Sequence, residues 1–277
     1  MSIHARRTFS YIILVLVTIL CLFWFYVLFI NATRSNGELQ SGFTFIPSTH
    51  LLENWKNLRA GTLPILSGLK NSLIISSCCV LFSVYFSTMT AYAIHAYDFK
   101  LKKFIYPFIL AIMMIPTQVT ALGFVKLVDS VSIFRNSPVP LIATTIAAPV
   151  CFFYMKQYME STLPLSLVEA ARIDGSNEFR TFNSIVLPLM KPAIAVQAIF
   201  TFVGSWNNYF TPALIIQSKN KMTVPILIAT LRGADYMNFD MGKIYMMITV
   251  AIVPIIIVYL LLSKYIIAGV TLGGVKE

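Results

Sequence analysis

The chain has 277 residues, of which 57% are hydrophobic and only 12% charged, with a formal net charge of +10 and a mean hydropathy of +0.77. Soluble domains are normally about a quarter charged, so a soluble globular protein is excluded, and the long apolar blocks indicate a chain that crosses a membrane several times. The positive balance does not point to nucleic acid, because Lys and Arg are scattered over many loops and form no single stripe.

In hydrocarbon the backbone must satisfy its own hydrogen bonds, which leaves helices or a closed barrel. The apolar blocks are too long and too uniform for the alternating strands of a barrel. An all-α bundle of six transmembrane helices is therefore predicted, at residues 11–30, 69–95, 104–126, 139–159, 193–217 and 244–268. The first is uninterrupted by charge between Arg7 and Arg34, and its apolar run is too long for the core of a cleaved signal. Pro107, Pro116, Pro140 and Pro149 interrupt the third and fourth, which membrane helices tolerate when neighbours re-satisfy the freed groups.

Six spans put both termini on one side. Arg6-Arg7 precedes the first span, and Lys100, Lys102 and Lys103 crowd the short loop after the second. Basic residues at span ends mark the cytoplasmic face, so both termini are expected there. The loops 31–68, 127–138 and 218–243 then lie outside, the first with a short helix around His50–Leu58. Cys21, Cys78, Cys79 and Cys151 all fall within predicted spans and have no metal-like spacing, as expected of small packing residues.

The remaining loop, 160–192, is unusually polar for this chain. Ser166-Leu167-Val168-Glu169 fits a capping box, a short helix is expected to reach Ile173, and Asp174-Gly175 is a strong stop. Ser176 can cap a second helix from Asn177 to Val186, closed by Pro188 and Pro192. Phe179, Phe182, Ile185 and Val186 recur at helical spacing and are expected to face the spans. Ala170 and Ala171 make a small knob, flanked by Glu169 and Arg172 as charges for a partner. By themselves these residues also suit an interfacial loop that only joins two spans.

Glu169-Ala170-Ala171, then Asp174-Gly175, then Pro188 and Pro192 resembles the cytoplasmic loop of permease subunits of ABC importers. Asn71-Ser72-Leu73, Ala91-Tyr92-Ala93, Ile115-Pro116-Thr117-Gln118-Val119 and Trp206-Asn207-Asn208-Tyr209-Phe210-Thr211-Pro212 are similar to permeases of the maltose type. The tail Gly269 to Lys276 resembles the end of the shorter of two paired sugar permeases. The pattern departs at Ile94-His95-Ala96, where an arginine is common, and at Ser132–Ser137, where a Gly-Leu segment is common.

The resemblance implies a bacterial or archaeal inner-membrane permease for sugar or oligosaccharide. Its expected partners are a second homologous permease, an ABC ATPase dimer, an extracellular or periplasmic binding protein and membrane lipid. It further implies that Glu169, Ala170, Ala171, Arg172, Asp174 and Gly175 couple to the ATPase, with Phe182, Pro188 and Pro192 as support. The tail Gly273, Gly274, Val275 and Lys276 is a candidate for the ATPase interface. ATP and Mg are expected on the partner and no cofactor or metal in this chain, since Gly242-Lys243 lacks the upstream glycine of a phosphate loop.

A solute path needs polar groups at membrane depth. Gln118, Gln197, Asn207 and Asn208 are the candidates, with Trp206 and Tyr209 as stacking surfaces, although such groups also serve merely to bond between helices. Two other readings stay open: an importer permease for a non-sugar solute, and an ion-coupled secondary transporter. The second calls for charges buried mid-span, which the spans do not offer.

Overall fold

The computed structural model describes residues 3–233 and 239–273, and among these it contains helices and no strand. In chain order they are α1 (Ile3–Ala32), α2 (Asn36–Gln40), α3 (Leu51–Ala60), α4 (Ile65–Ala96), α5 (Lys102–Met113), α6 (Thr117–Ser130) and α7 (Val139–Ala143). There follow α8 (Pro149–Thr162), α9 (Leu165–Ile173), α10 (Glu178–Thr181), α11 (Leu187–Leu189), α12 (Lys191–Trp206), α13 (Phe210–Ile215), α14 (Val224–Arg232) and α15 (Met241–Gly273).

Four stretches are long and apolar enough to cross a membrane: Arg6–Ala32, Ile65–Ala96, Val139–Thr162 and Met241–Tyr265. Two helix pairs, α5 with α6 and Glu178–Leu189 with α12, are bent by 100° and 80°, and bring the number to six if each pair is one span. The third predicted span, 104–126, is thus not a single helix. Pro116 stands extended (φ −62°, ψ 133°) at the start of α6, where it cannot donate to the turn before it and disfavours helix at Ile115. The fourth holds as one stretch, Val139–Thr162, with a 3-10 turn at Thr144–Ile146 ahead of Pro149. The fifth, predicted to 217, stops at Trp206 and resumes only as the short α13.

The chain divides into two compact units, Met1–Ile65 with Leu227–Val253, and Leu66–Ile226 with Pro254–Glu277. In the first unit, every side chain from Arg6 to Leu22 is exposed, including that of Cys21, which is therefore not the packing residue expected. The loop after α1 is held by buried polar groups. Arg34, only 5% exposed, donates to the carbonyls of Glu38 and Gly42. Asn54 donates to the carbonyls of Ala32 (2.9 Å) and Arg34 (2.8 Å). A true capping box closes α2, with Ser35 and Glu38 exchanging bonds of 2.8 and 3.3 Å.

In the second unit, α4 carries two apolar cores. One gathers Ile75 and Cys79 with Val128, Leu141 and Ile226. The other gathers Val84 and Tyr92 with Phe152, Met155, Met159, Val168, Phe182 and Val186. Buried hydroxyls lie along the same helix: Thr88 donates within it to the Val84 carbonyl at 2.7 Å, whereas Ser76 and Ser87 reach across to Ser205 Oγ (3.2 Å) and the Ala148 carbonyl (3.3 Å). Asn71 donates to the carbonyls of Asn220 and Met222, and Ser72 Oγ accepts from the Val224 amide at 2.8 Å. These two residues pin the segment leading into α14.

Candidate functional site

The polar stretch folds as two short helices at a sharp corner. Pro164, extended at ψ 135°, caps α9, which begins at Leu165. The capping box expected at Ser166 and Glu169 does not form, because Ser166 is already inside the helix. After Ile173 the chain closes in a Schellman motif: the Gly175 amide reaches the Arg172 carbonyl (3.0 Å) and the Ser176 amide reaches the Ala171 carbonyl (2.9 Å). Gly175 has φ +76°, the left-handed geometry that this closure requires. The next cap is Asn177 and not Ser176, its side chain accepting from the Arg180 amide at 2.9 Å.

Beyond α10 the helix widens into a π turn, Phe182–Val186, with the Leu187 amide bonding the Phe182 carbonyl. Pro188 therefore does not end the helix as expected, since the widened turn relieves the clash a proline ring makes with the carbonyl four residues back. Phe182 and Val186 are buried, Ile185 is half-buried, and Phe179 is 70% exposed, contrary to the helical spacing.

On α9, Val168 and Ala171 plug into the second core region, with exposures of 1% and 6%. Ala171 thus faces the chain's own interior, while Ala170 and Glu169 face outward together with Ile173, which is 87% exposed. Sequence pattern missed Ile173, whose apolar side chain would have had to be read as surface. Asp174 is exposed, but Arg172 is engaged within the chain. Its Nε lies 2.8 Å from Glu178 Oε1, and its guanidinium sits 5.1 Å from the centre of the Tyr97 ring. The charge expected for a partner is thus held at the surface by a cluster within the chain. Glu178 Oε2 also accepts from the hydroxyls of Tyr92 (3.1 Å) and Tyr97, and the Tyr92 and Phe182 rings are 5.8 Å apart. No local pattern links residues 92, 97 and 178. The bonds to Glu178 raise the Arg172 pKa above its ordinary value, chiefly through the hydrogen bond itself.

The second feature is a cavity of about 520 Å³ in the same unit, into which Ser72, Ser76, Thr117, Thr145, Asn208 and Thr223 project. Nine of its sixteen lining residues are Ser or Thr and none is charged, although most of its surface is apolar, with contributions from Ile75, Leu141 and Pro212. Thr223 is 4% exposed, and its hydroxyl has no hydrogen-bond partner among the described residues. Of the six predicted path residues, Asn208 lines this cavity. Gln118, Asn207 and Tyr209 are exposed elsewhere, and Gln197 is buried at 7%. Trp206 is not the open stacking surface expected, since it is 2% exposed and stacks on Phe202 with ring centres 5.6 Å apart. Pro192 lies in the first turn of α12, where its missing amide costs nothing. Gly273 ends α15, and Gly274, Val275 and Lys276 lie outside the described residues. Among the described residues, no three His, Cys, Asp or Glu side chains gather as metal ligands would.

Comparison with known proteins locates these features in a lineage. The model of the family described as "Binding-protein-dependent transport system inner membrane component" matches residues 83–271. The arabinooligosaccharides transport system permease protein AraQ of Halalkalibacterium halodurans is 36% identical over 252 residues, covering 90% of this chain and 89% of that protein. The sn-glycerol-3-phosphate transport system permease protein UgpE of Pectobacterium atrosepticum is 32% identical, with 94% of each chain covered. Among solved structures, one chain of a bacterial ABC transporter involved in the import of the acidic polysaccharide alginate shares the fold, with a TM-score of 0.76 at 21% identity over 96% of this chain and 99% of that one.

Proposed function

The chain belongs to the family of binding-protein-dependent transport system inner membrane components, and from that membership we propose that it is the shorter permease of a maltose-type ABC importer for sugars or oligosaccharides. The observation that carries the carbohydrate assignment is the 36% identity to an arabinooligosaccharide permease over nine-tenths of the chain. The hydroxyl-lined cavity supports it, because neutral donors and acceptors suit a neutral polyol better than an ion. A non-sugar solute is the second reading, favoured by the relative that serves sn-glycerol-3-phosphate.

In this reading both termini face the cytoplasm. The exposed rim of α9, from Glu169 to Gly175, docks on one subunit of a separate ATPase dimer, where ATP and Mg are bound. Closure of that dimer pushes on α9. The Arg172–Glu178 pair and the left-handed turn at Gly175 pass the displacement to α10, and the helical run through Pro188, which meets α12 at an 80° bend, carries it through Pro192 into that helix. Alternating access requires such a partner-biased pair of states. A second permease and a solute-binding protein complete the importer, and the tail residues Gly273 to Lys276 are candidates for contact with the ATPase.

Mass spectrometry of the complex co-purified with the tagged chain from gently solubilised membranes is the test. Recovery of an ATPase, a second permease and a binding protein supports the reading. Ligand screening of that binding protein then separates oligosaccharide from glycerol phosphate. A chain recovered alone, under conditions that preserve a control complex, overturns the docking role and returns ion-coupled transport to consideration.

A further inference from the structure

The end of α4, the start of α5 and the second half of α8 enclose a cavity of about 390 Å³ lined by His95, Lys102, Lys103, Tyr106, Lys156 and Glu160. It is separate from both features described above, and its lining brings three ammonium groups together with one carboxylate. Lys156 is 9% exposed, paired with Glu160 and 5.2 Å from the centre of the Tyr106 ring. Lys102 is half-buried and donates to the Tyr97 carbonyl at 2.9 Å, with exposed Asp98 at 3.3 Å. Lys103 is exposed beside them. His95 Nε2 donates to the Leu163 carbonyl at 2.9 Å, which turns the other ring nitrogen away from that bond. With Glu160 and Asp98 set against Lys102, Lys103 and Lys156, the cluster keeps an excess of one positive charge, which an anion would correct.

The surface next to this cavity is apolar. Phe104 and Phe108, one turn apart on α5, stack with ring centres 5.6 Å apart and planes 17° from parallel, and they are 65% and 52% exposed. Leu101 is exposed just before them. Basic groups at a helix end, backed by uncovered aromatic rings along the same helix, match a molecule with an anionic head and a hydrocarbon tail. Basic pockets between membrane helices take such head groups. The geometry points to an anionic phospholipid bound here, its phosphodiester received by Lys102, Lys103 and Lys156 and an acyl chain lying along Phe104 and Phe108. The site rests on the chain spanning a membrane and not on the transported solute. It accounts for lysines in the loop after α4 that the coupling reading leaves unused.

The whole complex, transferred from native membranes into nanodiscs of phosphatidylcholine with a minority of phosphatidylglycerol, is washed and its retained lipid weighed by native mass spectrometry. Wild-type complex is expected to retain phosphatidylglycerol in several-fold excess over its share of the bilayer. The exposed-side variant Lys103→Gln, which leaves the buried Lys156–Glu160 pair intact, is expected to lower that excess, and Lys102→Gln/Lys103→Gln to abolish it. Phe108→Ser is expected to lower it with the lysines intact. Unchanged retention in the double lysine variant overturns the site. Displacement of the lipid by millimolar inorganic phosphate also overturns it, because the pocket would then be a soluble-anion site. Loss of the ATPase from the double variant with lipid retention unchanged overturns it in favour of a protein contact.

Discussion

Arg172 and Glu178 face each other across the Gly175 turn at 2.8 Å, so the end of α9 and the start of α10 are tied by charge as well as by backbone. The pair lies on the surface, where such contacts contribute little to stability alone. What distinguishes it is the company of Tyr92 and Tyr97, which connect the corner to the end of α4.

That company makes the two sides of the Tyr92–Glu178 bond unequal. Glu178→Ala leaves the hydroxyl of Tyr92, a residue only 3% exposed, without its acceptor, at a cost of about 1–2 kcal/mol. Tyr92→Phe removes the hydroxyl itself and is expected to cost less. Thermal unfolding of the purified complex should therefore rank wild type above Tyr92→Phe, and Tyr92→Phe above Glu178→Ala. The reverse order of the two variants would show that the hydroxyl is otherwise satisfied.

Gly175 has open space where a side chain would stand, with nothing within 4 Å, and φ +76°. The penalty for Gly175→Val is thus one of backbone conformation, roughly 1–2 kcal/mol. Asn adopts this region more readily than other residues. ATP-driven uptake by membrane vesicles should fall strongly for Gly175→Val and mildly for Gly175→Asn, with the chain inserted equally in all three. Normal uptake by the valine variant would remove the turn from the mechanism.

Thr223→Val swaps a buried hydroxyl without a described partner for a methyl of the same shape. Relief of an unpaired polar group is expected to stabilise the chain by about 1 kcal/mol. If the cavity is on the solute path, the same change lowers uptake, so stability and activity should move in opposite directions. A rise in both would separate the cavity from transport.

The loop at 31–68 should respond to pH in a defined window. His50 Nδ1 is 2.7 Å from Glu53, and this hydrogen bond raises the histidine above its ordinary 6.5, opposed by desolvation and helped by attraction from Glu38 and Glu53. Its contribution is complete below the unfolded value and disappears as pH rises through the raised one. Glu38 is held below its ordinary 4.5, first by the Ser35 amide and then by the Ser48 hydroxyl. Its contribution is present above the unfolded value and is lost as pH falls through the lowered one. Protection of the amides at 33–54 against hydrogen exchange, relative to the intrinsic rate at each pH, should be greatest between these limits, and His50→Gln should erase the alkaline limb alone.

Hydropathy located the helices well because it reports an average over about twenty residues. The same averaging runs through a bend, which is why Pro116 was read as a tolerated interruption and not as a break. Short-range chemistry was legible where backbone geometry decides it, as at Gly175. It misled where two identical patterns differ only in what precedes them. Ser166 and Glu169 have the same spacing as Ser35 and Glu38, but Pro164 starts the helix two residues too early for the first pair to cap it. The cluster of Tyr92, Tyr97 and Glu178 is built across 81 and 86 residues of chain, and no periodicity spans such a distance. Trp206 shows the opposite failure: a residue type suited to sugar stacking, used here to fill the core.

The wide turn at Phe182–Val186 has a consequence for how this chain can change in length. A π turn holds one residue more than an α-helix needs for the same rise, while its flanks keep their faces. Deleting one residue among 183–185 can be absorbed by closing the turn, leaving Met190 and Ala193 still directed at the core that now buries them. Deleting one inside α12 has no such outlet and would rotate everything beyond it by about 100°. Within the helical run from Glu178 to Leu189, this is the one described place where the register can gain or lose a residue without turning the remainder to a different face.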